Sequence, residues 1–378
     1  MKTKSYIADY DHLIFFAYIV LVFIGLYMQL NISSVRTDMS FFYRQSIWFV
    51  ISLASVWFAF KVVKLDKIRK YFILFVILSI ALLVLVLFFG TYVKGGTRSL
   101  RIWKISIQPS LIARVVLVLY FAHILDRKKD FLKNSHPIGF IRNFHPLIVF
   151  SIIIFGLILY EKHFSPLVIS GFTLLSLLWL AKIRFSTISL ILAIILICGF
   201  LVIKFGPEYR NERMEIYAKY SLFHKIFNKQ SDYQGEKNYQ VKESLISLSS
   251  GKIFGTSPGR GTGKHYFLPE AKTDYIFAII GEEFGFIGAF SVLGLYIFLF
   301  YRSLKSSNKK ENLFLRLAGY GLGMNIFFNA MVNIGVGMSA LPSTGVTLPF
   351  ISYGGTSLLV NSFSIGLLLN ISAKRTNF

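Results

Sequence analysis

Along the chain, hydrophobic positions come in blocks rather than in an amphipathic period. Apolar runs of roughly twenty residues, the length a helix needs to cross a bilayer, alternate with short charged segments. Ten runs can be marked, at residues 12–30, 42–62, 69–90, 107–125, 145–160, 164–181, 186–203, 274–301, 315–338 and 353–372. Only Glu161–His163 separates the fifth from the sixth, so these two form a tight hairpin. Fusing them would leave nine crossings and put the termini on opposite sides. The pattern predicts an all-α polytopic membrane protein with ten transmembrane helices, a single domain over residues 1–378. One long extracytoplasmic loop, residues 204–273, lies between helices 7 and 8.

Composition agrees: 54% of the 378 residues are hydrophobic, with 39 Phe and 20 Tyr, and only 16% are charged. The first run is too long for a signal-peptide core and no small-residue cleavage site follows it, so it is read as the first span. Lys and Arg gather in alternate short segments, at 61–70, 127–133, 182–184, 302–316 and 374–375. The positive-inside rule then places both termini in the cytoplasm. The long loop is also basic, and long segments escape that rule. Its charge, part of a net +23, suits either anionic lipid headgroups or an anionic substrate at the outer surface. Nucleic acid is set aside, because no recognition module accompanies the charge.

Candidate chemistry concentrates where that loop meets the eighth run, in FLPEAKTDYIFAIIGEEFGFIG, Phe267–Gly288. If a helix starts near Pro269, Glu270 and Asp274 share one face. Glu282 and Glu283 lie deeper, in apolar sequence, where acids are expensive and point to a functional site with a cationic partner. Asp274 reads either as a general base or as an acid favoured by a helix N-terminus. Lys264 and Lys272 flank this stretch, and Arg98 and Arg101 belong to an earlier outer segment; together they make a plausible anion site. The Gly and Pro residues of 341–355 break the helical pattern, which survives at membrane depth only when protein-buried or lining a wet cavity. That segment reads as a cleft wall, with Ser352 and Tyr353 able to bond a sugar or phosphate.

Other motifs fail. GTSPGRGTGKH has Pro258 where a phosphate-binding loop needs its first Gly, and His265 after the Lys. His163 has no second ligand at metal spacing, and the lone Cys198 excludes a disulfide framework or CxxC site. No metal site is assigned, although a magnesium or manganese ion could share the work of an anion site.

Four stretches carry a resemblance: GGTRSLRIWKISIQPSLIAR (95–114), YQVKESLISLSSGKIFG (239–255), the LPEAKTDYIFAIIGEEFGFIG stretch, and NIGVGMSALPSTGVTLPFISYGGTS (333–357). They are similar, in order, to the SEDS (shape, elongation, division and sporulation) family of FtsW, RodA and SpoVE. PFISYGG and the LPEA form lean toward its division branch. The resemblance implies a glycosyltransferase that polymerises lipid II into peptidoglycan at the outer face of the bacterial cytoplasmic membrane. Asp274 would be its general base and Glu270 an assistant. It also implies a class B penicillin-binding protein as partner, beside other division or elongation membrane proteins. Two rivals are a lipid II flippase, for which no internal repeat is found, and a non-catalytic scaffold for a transpeptidase. Many members have Glu at the position of Leu111 and Pro-Asp-x-Gly where this chain has Lys162-His163-Phe164-Ser165. Glu161, His163 and Ser165 match a Glu-x-His-x-Ser variant, and Asn329 stands where Gln is usual. Arg114, charged within a span, needs a counter-ion, and Glu161 or Glu282 is the expected one.

Overall fold

The computed structural model describes residues 5–35, 38–93, 96–102, 105–132, 135–161, 164–204, 215–217, 219–221, 236–268 and 270–377. Strand β1 (Ser5–Asp9) leads into α1 (His12–Val35), α2 (Ser40–Lys61) and α3 (Phe72–Phe89). A three-stranded antiparallel ribbon follows, β2 (Thr91–Val93), β3 (Gly96–Ile102) and β4 (Ile105–Ile107). Then come α4 (Pro109–Arg127), α5 (Pro137–Tyr160), α6 (Phe164–Leu180) and α7 (Phe185–Lys204). Helix α8 (Glu236–Ser250) lies within the long loop, and α9 (Ile276–Asn308), α10 (Leu313–Gly337), α11 (Gly355–Ser372) and β5 (Lys374–Asn377) complete the chain.

Each of the ten expected stretches falls on one of these helices. Six segments are long and apolar enough by themselves to cross a membrane: α1, Leu65–Phe89, α4, α5, α9 and α11. Helices α6 and α7 are apolar but shorter, whereas α2 and α10 carry polar side chains such as Gln45, Asn325, Asn329 and Asn333 on buried faces. Large apolar residues such as Phe16, Trp57, Phe88 and Trp179 stand exposed on the bundle, as a lipid-facing surface requires. The protein is a multi-pass membrane protein.

The termini settle the parity of the crossings. Strand β1 pairs antiparallel with β5, and Asp11, at the foot of α1, accepts a hydrogen bond from Arg302 at 2.7 Å. Both ends therefore lie on one face, which requires an even number of crossings and excludes nine. Helix α5 starts earlier than the sequence pattern suggested, at Pro137, with a kink at Phe144 just before Pro146; proline removes a ladder donor and breaks the apolar run there.

Two features of the opposite face were not expected. One is the ribbon β2–β4. The other is helix α8, which packs along α9. Helix α9 breaks at Gly285 (φ +66), and the amides of Phe286 and Ile287 donate to the carbonyls of Lys252 and Ile253. The loop thus supplies the acceptors that the kinked helix has lost. A Cβ at Gly285 would stand 2.3 Å from the Gly255 nitrogen, so glycine is needed there for both conformation and space.

Candidate functional site

On the face opposite the termini, three segments converge: the turn 270–275 before α9, the irregular segment 339–354 between α10 and α11, and strand β3. Helix α9 begins at Ile276, not near Pro269. Residues 270–275 form a compact turn in which the amides of Thr273 and Tyr275 donate to the Glu270 carbonyl. Glu270 adopts φ +58, and its carboxylate accepts from the Thr273 hydroxyl at 2.8 Å. Glu270 and Asp274 are therefore joined by a turn rather than stacked on a helix face. Asp274 is half-buried, and its position just before a helix N-terminus favours a negative charge.

The 339–354 segment is held by side chains from around the bundle. Asn333 of α10 donates to the carbonyls of both Asp274 (3.0 Å) and Val346 (2.6 Å), tying the turn to the segment. Asn329, four residues earlier and on the same helix face, donates to the Thr347 carbonyl at 3.3 Å. Ser165 donates to the Thr344 carbonyl at 3.0 Å. At the apex, Gly345 takes φ +73, and a side chain there would begin 3.6 Å from an Arg98 terminal nitrogen and 3.7 Å from Asp274 Oδ2. A carboxylate and a guanidinium thus converge on Gly345, both within van der Waals reach of where a side chain would begin.

Lys272 points to a different edge of the site. Its ammonium lies 3.4 Å from the centre of the Phe41 ring and 5.9 Å from that of Tyr353, a cation–π arrangement. The Tyr353 amide donates to the Lys272 carbonyl at 2.8 Å, which joins the 339–354 segment to the turn at Lys272. Phe41 was not singled out from sequence, since one Phe among so many carries no signal.

Several expected site residues serve the fold instead. Lys264 is fully buried, with Nζ 2.7 Å from Glu283 Oε1 and 2.6 Å from the Asn31 amide oxygen; it is not placed to meet a surface anion. The cationic partner expected for the intramembrane acids thus exists, but it closes a structural pair. Glu282 accepts from the amides of Thr262 (2.7 Å) and Gly263 (3.1 Å), and Glu283 from that of Gly259 (3.0 Å). These two acids hold the glycine-rich loop that resembled a phosphate cradle. Ser352 is buried, donating to the Thr273 carbonyl (2.6 Å) and accepting from the Leu348 amide (2.8 Å), so its hydroxyl braces the turn rather than facing a sugar. Arg98 and Arg101 are three apart on β3 and hence on opposite faces of the ribbon; Arg101 is exposed.

Arg114 is buried on α4. Its terminal nitrogen donates to the Asn329 amide oxygen at 3.3 Å, and among the described residues it pairs with no carboxylate. The expected pairing with Glu161 or Glu282 is therefore corrected: Glu282 is taken by the 262–263 backbone. Asn329 bridges Arg114 to the Thr347 carbonyl, which links the intramembrane cation to the loop of the site. Glu161, just beyond the end of α5, is completely buried; burial pushes its carboxyl up to about 8, and the Arg98 guanidinium acts to lower it. His163 lies outside the described residues.

The comparisons with known proteins follow the same outline. The family model for the FtsW/RodA/SpoVE cell cycle proteins matches residues 10–377. A protein of Buchnera aphidicola subsp. Baizongia pistaciae named probable peptidoglycan glycosyltransferase FtsW is 32% identical over 98% of this chain and 96% of its own. One of the same name from Coxiella burnetii is 32% identical over the full length of both. Among solved structures, a chain of a peptidoglycan synthase complex that coordinates polymerization and crosslinking superposes with TM-score 0.77 at 23% identity. It covers 97% of this chain and 98% of its own. Rod shape determining protein RodA of Thermus thermophilus superposes with TM-score 0.68 at 22% identity, over 97% of each chain. At these identities the structural likeness speaks for the fold.

Proposed function

Because the chain belongs to the FtsW/RodA/SpoVE family of cell cycle proteins, we propose that it is a peptidoglycan glycosyltransferase. It transfers the growing glycan strand from its undecaprenyl-pyrophosphate carrier onto lipid II, at the outer face of the bacterial cytoplasmic membrane, during cell division. A hydroxyl of the incoming lipid II sugar attacks the anomeric carbon of the strand. The bond from that carbon to pyrophosphate breaks, and pyrophosphate leaves with the electron pair. As a stable anion it needs no proton, unlike the alcohol expelled in glycoside hydrolysis. The chemical demands are then a base for the attacking hydroxyl and positive charge for the departing group.

Asp274 is the base. Arg98 meets the charge that develops on the pyrophosphate, and Lys272, held over Phe41, is the second cation at its edge. Glu270 shapes the turn by accepting from the Thr273 hydroxyl. We propose that these side chains suffice without an obligatory metal; a magnesium or manganese ion arriving with the pyrophosphate would add to their charge. The observation that supports this reading is the convergence of the Asp274 carboxylate and the Arg98 guanidinium at Gly345.

A class B penicillin-binding protein is the proposed partner, in line with the likeness to a chain of a peptidoglycan synthase complex. The assignment to division rather than elongation rests on the FtsW name that the curated relatives share. The test is polymerisation of purified lipid II by the protein with its transpeptidase, with moenomycin present to silence classical glycosyltransferases. Glycan ladders on a gel are expected. An intact complex that makes none would contradict the reading and favour a flippase or a scaffold.

A further inference from the structure

A pocket of about 480 Å³ opens where the chain enters α3, on the membrane face that carries the termini. Asn370, near the end of α11, fixes the end of α2 on that face by donating to the carbonyls of Ala59 (2.9 Å), Phe60 (3.0 Å) and Val63 (2.7 Å). The positive-inside rule makes this face cytoplasmic. Asp66, Arg69, Lys70 and Ile73 line the pocket from one side, and His123 and Arg127 of α4 from the other. Arg69 is a fixed and neutralised wall: its guanidinium lies 4.5 Å from the centre of the Phe314 ring and pairs with Asp126. Its Nε donates to His123 Nδ1 at 3.3 Å, so the neutral imidazole carries its proton on Nε2 and is a donor there. Lys128 donates to the Asn143 carbonyl and serves the fold. Lys70 and Arg127 are instead exposed, and among the described residues they make no ion pair. Set against Asp66, they leave one positive charge in excess. From the pocket, α3 runs into the bilayer with Ile73 and, one turn on along the same face, Ile77, both half-exposed.

We propose that this pocket binds the headgroup of an anionic phospholipid of the cytoplasmic leaflet, of the phosphatidylglycerol type. Its phosphate accepts from Lys70, Arg127 and the Nε2–H of His123. Its glycerol hydroxyls donate to the Asp66 carboxylate, and an acyl chain follows Ile73 and Ile77. Basic pockets between membrane helices on the cytoplasmic side suit such headgroups. Cations alone would take any anion; the acid at the rim and the apolar strip beyond it fit a phosphodiester that carries both hydroxyls and a hydrocarbon chain. Phosphatidylethanolamine, neutral overall, would leave the excess charge of the pocket uncompensated. This lipid site does not depend on the reaction at the other face.

The experiment follows bound lipid by native mass spectrometry as the delipidated full chain is titrated with dioleoyl phosphatidylglycerol or dioleoyl phosphatidylethanolamine, with and without inorganic phosphate. Wild type is expected to bind phosphatidylglycerol several-fold more tightly, and phosphate is expected not to displace it. A cation at the membrane surface contributes about fivefold in affinity, so Lys70→Gln with Arg127→Gln should weaken phosphatidylglycerol binding about ten- to thirtyfold. The charge-keeping pair Lys70→Arg with Arg127→Lys should restore most of it. Lys305→Gln with Lys309→Gln removes the same charge from exposed positions at the end of α9 and should leave binding unchanged. Variants are compared only where they melt with lipid-free wild type; should the Lys70 and Arg127 pair fail that condition, the two single variants, at about fivefold each, carry the test. Equal losses in the two charge-removing pairs would overturn the proposal in favour of general surface attraction. Displacement by phosphate would overturn it in favour of a free-anion site, and equal affinity of wild type for the two lipids would overturn it outright.

Discussion

Among single residues, the acids and lysines before and within α9 divide into those at the proposed site and those that hold the fold. Lys264 and Glu283 are both shut off from solvent and meet at 2.7 Å. Removing one partner leaves an unpaired charge inside the protein, so Lys264→Met should cost about 3–5 kcal/mol of stability. Adding Glu283→Leu should recover much of it, and thermal unfolding of the purified variants reads both. Glu161 gives a prediction in pH. Its folded-state carboxyl is raised from 4.5 to about 8, so between those values the folded state holds a proton that the unfolded state has released. Stability from this group is full below 4.5 and falls as pH rises toward 8. Glu161→Gln, which cannot titrate, should lose less melting temperature than wild type between pH 5 and pH 9. Equal pH profiles for the two proteins would contradict the burial of an acid at this position.

The elements show where sequence was informative and where it was not. Helices were legible because each apolar block is long enough to need internal hydrogen bonding in lipid. The site was half legible. Asp274 and Arg98 were singled out by charge near the outer ends of runs, and the structure brings them together at Gly345. Lys264 and Ser352 looked equally suitable, one for flanking the acidic stretch and the other for lying in a helix-breaking segment, yet both face inward, because neither signal tells which way a side chain points. Arg114 was matched to an acid by charge alone, whereas a neutral amide, Asn329, sits across from it. Ribbon β2–β4 and helix α8 were missed because their stability comes from packing on the bundle rather than from their own periodicity. The Gly285 break in α9 is the element on which loop and helix depend together. Gly285→Ala would impose a positive φ and a clash on backbone atoms of residues 253 and 255. A loss of at least about 1–3 kcal/mol is expected, seen as a lower melting temperature and faster proteolysis within 251–264.

For the whole molecule, the pairing of β1 with β5 and the grouping of the 270–275, 339–354 and β3 segments on the opposite face define two sides. In a Cys198→Ser background, Arg260→Cys should react with a membrane-impermeant thiol reagent in intact spheroplasts, and Lys309→Cys only after permeabilisation. The reverse pattern would invert the proposed orientation. Across the whole arrangement, a buried frame of Asn329, Asn333, Ser352, Glu282 and Glu283 holds the loops at the proposed reaction site, where Asp274 and Arg98 both approach Gly345. The direct test is the polymerisation rate of Asp274→Asn against wild type in the intact transpeptidase complex. Loss of general-base action predicts a fall of about a hundred- to ten-thousandfold with an undisturbed melting temperature. Ladders of equal length and yield from the two proteins would contradict the account.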